Sequence, residues 1–338
     1  MKTLREPLAA RRPANVTVIS LGGGGEIDPG EVLAGLAHEP KRLSPKLFYD
    51  ARGSELFNAI CKTEAYYPTR TERGILTGHA EAIAQAVGPD SVVFEFGPGD
   101  MSKVRLLLPQ LLPATYVGID IAKVQLVAAA EALAFEYPWL EVFAVCADFG
   151  VGLPEQLPLP PGRRRVVFFP GSTIGNFEPD DARVFLGLLA RMVGADGGAI
   201  VGVDFQKQTA LLDRAYNDPE GLTRAFNLNV LTRLNRELGA DFDERRFRHH
   251  AFYNEARGRV EMHLVSMVSQ VVHLAGTQIR FEAGESIHTE NSYKYTPESF
   301  AALATSAGLR SHRLWTDELN HFGVFFLGNA QQLARQTP

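Results

Sequence analysis

An α/β fold, a doubly wound parallel sheet carrying a second lobe of mixed α and β structure, follows from two patterns in the 338 residues. From Ser91 to Asp204, short apolar runs alternate with amphipathic stretches. Strands a few residues long, apolar on both faces and separated by helical patterns, form parallel sheets covered by helices on both sides. After Asp204 the rhythm changes: a helical stretch is followed by period-two alternation, the mark of antiparallel strands.

Residues 1–15 read as a loose tail and Val16–Ser20 as a short extended arm. Gly22–Gly25 reads as a connector, because the third glycine of a G-x-G-x-x-G loop would fall on Ile27 or Asp28. Thr69-x-x-Glu72 matches a capping box, which starts a helix there and leaves Tyr66, Tyr67 and Pro68 in a loop at its mouth. Strands follow at Ser91–Phe96, Ala114–Ile119, Glu141–Val145, Arg165–Phe169 and Ala199–Asp204, with helices at Ser102–Leu112, Val124–Phe135 and Asp180–Val193. Leu211–Leu238 reads as helical, and Phe247–Tyr253, Arg259–Val272 and Gln278–Tyr295 as antiparallel strands. A helix at Phe300–Gly308 and a strand at Gly323–Leu327 close the first sheet, so the second lobe is an insertion. The expected bounds are 66–206 and 299–338 for the core, and 16–65 and 207–298 for the second lobe.

Composition narrows the function. A formal net charge of −5 argues against a grip on nucleic acid, which draws on clustered Lys and Arg. No apolar run of about 18 residues occurs, so no membrane span is expected. Two distant cysteines, Cys61 and Cys146, fit a reducing compartment, the cytoplasm, and exclude a disulfide framework. The nine histidines show no His-x-x-x-His spacing, and no metal is expected. A monomer with a small-molecule partner is the expectation.

The first strand runs into Gly97-Pro98-Gly99-Asp100, the second ends in Asp120, and the third ends in Asp148-Phe149. Glycines let the backbone approach a ligand, an acid at the second strand end accepts from ribose hydroxyls, and Asp148 with Phe149 offers an acceptor and a stacking ring to adenine. Each feature by itself also suits a turn or a cap; together, at the carboxyl ends of consecutive strands, they point to a nucleoside cofactor. Ser102 stands where a dinucleotide loop has its third glycine, and Glu95 and Asp100 suit a cationic sulfonium better than a pyrophosphate. The loop thus favours S-adenosylmethionine (SAM). Asn176, after the fourth strand, falls where an acceptor meets the methyl group, although a helix cap explains it equally. Glu290 and Ser292, two apart on a strand, face one side; by themselves they also read as an exposed face continuing to Lys294.

The motifs F-Y-D-x-x-G-S-x-L-F, Y-Y-P-T-R-T-E, G-S-T-I-G-N, A-Y-N-D-x-x-G-x-T-x-x-F-N-x-N and T-E-x-S-x-K-Y, with Lys103 after the glycine loop, resemble the L-histidine Nα-methyltransferases of ergothioneine biosynthesis. The resemblance runs from about Leu43 onward and implies a Rossmann-like class I SAM-dependent methyltransferase core with a mixed substrate-binding lobe. It implies that Tyr66, Asn176 and Tyr216 hold the amino and carboxylate groups of histidine, that Glu290 and Ser292 hold the imidazole, and that Tyr49, Phe57 and Met262 line the pocket. Gly97, Gly99, Lys103, Asp120, Asp148 and Phe149 become the cofactor contacts, and Tyr49, Tyr66 and Asn176 the catalytic set. The implied reaction is three successive methylations to trimethylhistidine (hercynine), releasing S-adenosyl-L-homocysteine each time. A relative acting on another amino acid or amine, and a SAM-binding module without catalysis, stay open at this point.

Overall fold

The computed structural model describes residues 13–21, 26–148 and 163–329. The tail before residue 13, Gly22–Gly25 and Phe149 lie outside the described residues. Fourteen strands appear among the described residues: β1 Val16–Ser20, β2 Lys41–Arg42, β3 Ser91–Phe96, β4 Thr115–Asp120, β5 Glu141–Cys146, β6 Arg164–Phe169, β7 Gly198–Asp204, β8 Phe247–Asn254, β9 Arg259–Ser266, β10 Gln270–Leu274, β11 Thr277–Phe281, β12 Ser286–Tyr293, β13 Leu309–Thr316 and β14 Phe322–Asn329.

Eight of them form one sheet in the order β1-β5-β4-β3-β6-β7-β14-β13. The six from β1 to β7 are parallel, and β14 runs antiparallel between β7 and β13. Every residue of β3 and of β7 is buried, as the unbroken apolar runs require of strands covered on both faces. Two apolar clusters fill the space between the sheet and its helices, one on each side. Val16–Ser20, expected in the second lobe, instead pairs with β5 as an edge of this sheet. Five residues with mixed burial carry too little signal to assign the strand to either lobe from sequence.

The second sheet has the order β2-β12-β9-β8, with the β10-β11 hairpin beside it. Helices Ala51–Ile60, Thr209–Tyr216 and Leu222–Leu238 contribute to the same apolar cluster as its strands. The chain leaves the first sheet at Phe205 and returns at Tyr295, and these two residues bridge each other in parallel. The Tyr295 N–H donates to the Asp204 carbonyl and the Gln206 N–H to the Tyr295 carbonyl. The inserted lobe is therefore stitched to the carboxyl end of β7.

Three local expectations are corrected. The helix expected at Ser102–Leu112 is a 3-10 turn at Val104–Leu106 and a single turn at Leu108–Leu111, because Met101 sits in the left-handed region (φ 56°) and Pro109 supplies no N–H. The helix expected to be capped by Thr69 begins at Tyr67 with Pro68 in its first turn, where a missing N–H costs nothing; Thr69 makes no cap. The stretches Arg259–Val272 and Gln278–Tyr295 each break into two strands, and β13 is an additional closing strand.

Candidate active site

The residues expected to hold the cofactor lie at the carboxyl ends of β3, β4 and β5 in the first sheet. Gly97 (φ 62°) and Gly99 (φ 55°) take left-handed conformations after β3, and a Cβ on either would meet no atom within 4 Å. An open, bare backbone at a strand end is a cradle for a ligand. Asp120 ends β4; its carboxylate accepts from the Ala122 N–H at 2.9 Å, and burial raises its pKa while the Ala122, Ile121 and Gly99 amides pull it down. Asp148 follows β5, with the Lys46 ammonium 3.9 Å away. These groups fit a nucleoside whose hydroxyls meet Asp120.

Lys103 is not free to meet a ligand by itself. Its ammonium pairs with Glu72 at 2.7 Å, and both Glu72 oxygens accept from the Gly171 N–H, at 2.8 and 3.0 Å. Burial pulls the Lys103 pKa down, but Glu72 lifts it further, so it stays charged. Glu72 thus ties the loop after β3 to the loop after β6, a role hidden in the sequence behind its apparent place in a capping box. Glu95, expected beside the sulfonium, is corrected: it accepts from the Tyr116 hydroxyl at 2.6 Å, and burial raises its pKa to about 8, which leaves it largely protonated at neutral pH. Asp100 is exposed and accepts from the Ser102 N–H.

The loop after β6 and strand β12 of the second sheet together present a polar set. Gly175 sits in the Thr173–Asn176 turn, where a Cβ would lie 2.6 Å from the Tyr293 carbonyl oxygen, so only glycine allows this turn to pack on β12. That approach lets the Asn176 amide donate to Glu290 at 3.2 Å. A register shift between His288 and Glu290 sets the direction of the acid. His288 pairs with His263, but Glu290 pairs with Met262 and Ser292 with Val260, so the bulge turns Glu290 and Ser292 to the inner face. Met262 is buried opposite Glu290. Burial raises the Glu290 pKa to about 7 against the pull of Lys294.

Tyr66 lies edge-on to Tyr216 (ring centroids 6.0 Å apart) and to Phe57 (6.2 Å), and Tyr49 lies edge-on to Phe57 (5.9 Å). Burial, with nearby acidic groups, holds the pKa of Tyr49 and of Tyr66 well above the ordinary tyrosine value. The Tyr216 hydroxyl donates to Ser292 at 2.8 Å. Beneath this pair is a buried network invisible to sequence reading. Lys294, which an exposed strand face would have left in water, is 1% exposed and bonds Ser292, Tyr216 and Asp204. Asp204 is fully buried and also accepts from Tyr67 and Lys207. Only the T-E-x-S-x-K-Y motif, read past its serine, could have pointed to Lys294.

The structure brings together Tyr49, Phe57, Tyr66, Asn176, Tyr216, Met262, Glu290 and Ser292 from both lobes, within hydrogen-bond or ring-contact distance of at least one other member or in facing strand register. One group among the described residues has metal-ligand spacing: Glu261, His263 and His288 place donor atoms within 4.8 Å of one another on the outer face of the second sheet. Arg259 already pairs with Glu261 at 2.8 Å, and the two imidazoles are stacked with planes 15° apart, so their in-plane lone pairs do not converge. No described helix is long and apolar enough to cross a membrane.

The sheet order, with one antiparallel strand set between β7 and β13 and a glycine loop and acids along the carboxyl edge, defines a class I SAM-dependent methyltransferase. Residues 29–329 match the model of the histidine-specific, SAM-dependent methyltransferase family, and the chain belongs to that family. It is 42% identical over 300 residues to the histidine N-alpha-methyltransferase of Mycolicibacterium smegmatis, covering 87% of this chain and 92% of that one. It is 29% identical over 315 residues to the ergothioneine biosynthesis protein 1 of Neurospora crassa (86% of this chain, 34% of the relative). A 4-dimethylallyltryptophan N-methyltransferase of Aspergillus fumigatus is 29% identical over 305 residues (85% and 89%).

Proposed function

We propose that this protein methylates the α-amino nitrogen of L-histidine three times, giving hercynine, the first step of ergothioneine biosynthesis. The observation that carries the reading is the polar pair Glu290 and Ser292, turned inward by the bulge and joined through Asn176 to the loop after β6. A hydrocarbon side chain would leave that carboxylate without a ligand partner, and an indole would leave Ser292 without one, at a cost of about 1–3 kcal/mol or more. An imidazole satisfies both groups. The names of the mycobacterial and Neurospora relatives agree.

Bound SAM supplies an electrophilic methyl group. Gly97, Gly99 and Asp120, with Asp148 and Phe149, hold it, and Lys103 shapes the loop through Glu72. Asn176, Tyr66 and Tyr216 take the amino and carboxylate groups of histidine; the Asn176 amide both donates and accepts, so it can bind either without a change of charge. Tyr49 and Tyr66 stay neutral at working pH and orient the amine lone pair rather than act as phenolate bases. The ammonium loses its proton toward solvent, and holding nitrogen in line with the methyl carbon in a water-poor cleft supplies most of the acceleration.

The test is purified protein with SAM and a panel of amino acids, read by mass spectrometry. Histidine gaining three methyl groups is the expected result. Histidine unchanged while another amine is methylated would overturn the substrate assignment.

Two further outcomes are expected. Gly97→Val should weaken SAM binding about tenfold or more, because a β-branched side chain at positive φ is strained by about 1–3 kcal/mol and relaxation distorts the cradle. Calorimetric titration checks this, with a preserved melting profile as control. Histidine affinity should be full above about pH 7 and fall below it, because both Glu290 (about 7) and the free imidazole (about 6.5) then carry protons that binding must release. A histidine KM independent of pH between 5.5 and 8 (roughly one unit either side of those values) would contradict the assignment.

A further inference from the structure

Resting on the histidine reading, we propose that Lys294 is a positioning residue that forces Ser292 to act as a hydrogen-bond donor. The cleft then takes the substrate ring only as neutral imidazole in one tautomer, with its N–H on Glu290 and its bare nitrogen on Ser292.

An ammonium has three N–H donors and no acceptor. Lys294 finds three acceptors: Asp204 Oδ2 at 2.8 Å, Ser292 Oγ at 2.8 Å and Tyr216 Oη at 3.0 Å. With side-chain exposures of 1% for Lys294 and 0% for Asp204, water offers no alternative partner, so the ammonium is fixed in direction. Asp204 is itself held by Tyr67 and Lys207. Ser292 Oγ accepts from Lys294 and lies 2.8 Å from the Tyr216 hydroxyl, which in the proposed arrangement donates to it. A hydroxyl has two acceptor positions and one proton; with both positions filled, only the proton remains to face the cleft.

Glu290, two residues away on the same inner face, offers the opposite polarity once ionised. Lys294 is the cation that favours its ionised form, whereas Tyr49 and Tyr66 face it from two other segments as hydroxyls whose own pKa burial and this acid hold well above the ordinary value. One acceptor and one obligate donor on a single wall read a ring by both of its nitrogens. An indole gives Glu290 an N–H but gives Ser292 nothing to donate to. An imidazolium sets a ring N–H against the serine proton. Each mismatch leaves a buried polar group unpaired, the basis of strong discrimination by hydrogen-bonding sites.

The direct test uses wild-type protein with ring-15N-labelled L-histidine and S-adenosyl-L-homocysteine, so that no methyl transfer occurs. Nitrogen NMR at neutral pH should show one protonated and one bare ring nitrogen. Two protonated nitrogens, or an average of two tautomers, would overturn the proposal. In kinetics, Lys294→Met should raise the KM for histidine by about tenfold or more while the KM for SAM and the turnover number change far less. Lys294→Gln, which keeps an N–H donor without the charge, should recover part of that loss. Folded variants with the wild-type histidine KM would also overturn it. If the methionine variant does not fold, the glutamine variant and the labelled-histidine spectrum still decide. Histidine that neither binds nor is methylated by the wild-type protein would instead sink the substrate reading, a result distinct from bound histidine with two ring protons.

Discussion

Glu290→Ala should raise the Michaelis constant for histidine about a hundredfold and leave that for SAM nearly unchanged. Glu290 is the carboxylate that the bulge in β12 turns inward, where it meets Asn176 and faces Met262 across the strand pair. A hydrogen bond to a charged group contributes about 1.5–3 kcal/mol, and a hundredfold is about 2.7 kcal/mol at 25 °C. The residues proposed to hold the cofactor stand at the ends of β3, β4 and β5 of the first sheet, whereas Glu290 is on β12 of the second, so their affinity has no reason to follow. Steady-state kinetics with each substrate varied in turn makes the comparison. Equal losses on both would mean that Glu290 supports the fold of the cleft rather than reading the ring. Glu290→Gln is the informative companion, because it keeps the volume and removes the group that titrates near 7.

The largest effect on stability is expected at Asp204. Asp204→Ala removes the acceptor shared by Lys294, Lys207 and the Tyr67 hydroxyl, all of them buried or nearly so. Leaving buried charge uncompensated typically costs about 3–5 kcal/mol, and the loss should appear as a lower melting temperature even in the presence of SAM. The pH dependence has a defined sign. Burial pushes the Asp204 carboxyl up, but Lys294 and Lys207 pull it further down, so its folded pKa lies below the unfolded value of 3.8. Its contribution is therefore present above that value and lost as pH falls through the folded pKa. The variant should lack that part of the acid denaturation limb. A melting temperature equal to the wild type's would show that the two lysines find other partners or lose their protons. Lys207, whose pKa burial lowers to about 8, is the nearer to doing so.

The parallel core was legible because each of its strands is buried on both faces, and such strands announce themselves as unbroken apolar runs bounded by turns. Ser91–Phe96 was read with its final bounds, and β4 to β7 fell within a residue of theirs. Elements with weaker patterns were read less well. Val16–Ser20 is an edge strand with one half-solvated face, and the Gly-Pro-Gly-Asp turn runs on through Met101 where a helix was expected.

The site divides in the same way. Gly97, Gly99, Asp120 and Asp148 were expected at successive strand ends and stand there in the structure, because such positions carry meaning in linear order. Glu72 was named for the wrong reason. Its spacing from Thr69 fits a capping box, yet its carboxylate is spent on Gly171 and Lys103, about a hundred and about thirty residues away in the chain. Lys294 looked like the end of a solvated strand face, and nothing local says that it is enclosed.

What the sequence determined by itself, then, is the periodicity of each segment and the residue types placed at strand ends, since both depend only on near neighbours along the chain. From these came the doubly wound sheet, the cofactor edge and the inserted second lobe. The tertiary structure alone decided which way Glu290 points and which charges are paired out of water. A one-residue bulge in β12 reverses the faces of a strand, and the partners of Asp204 and Glu72 arrive from segments distant in sequence. Burial and charge pairing depend on distances through space, and those exist only once the chain has closed on itself.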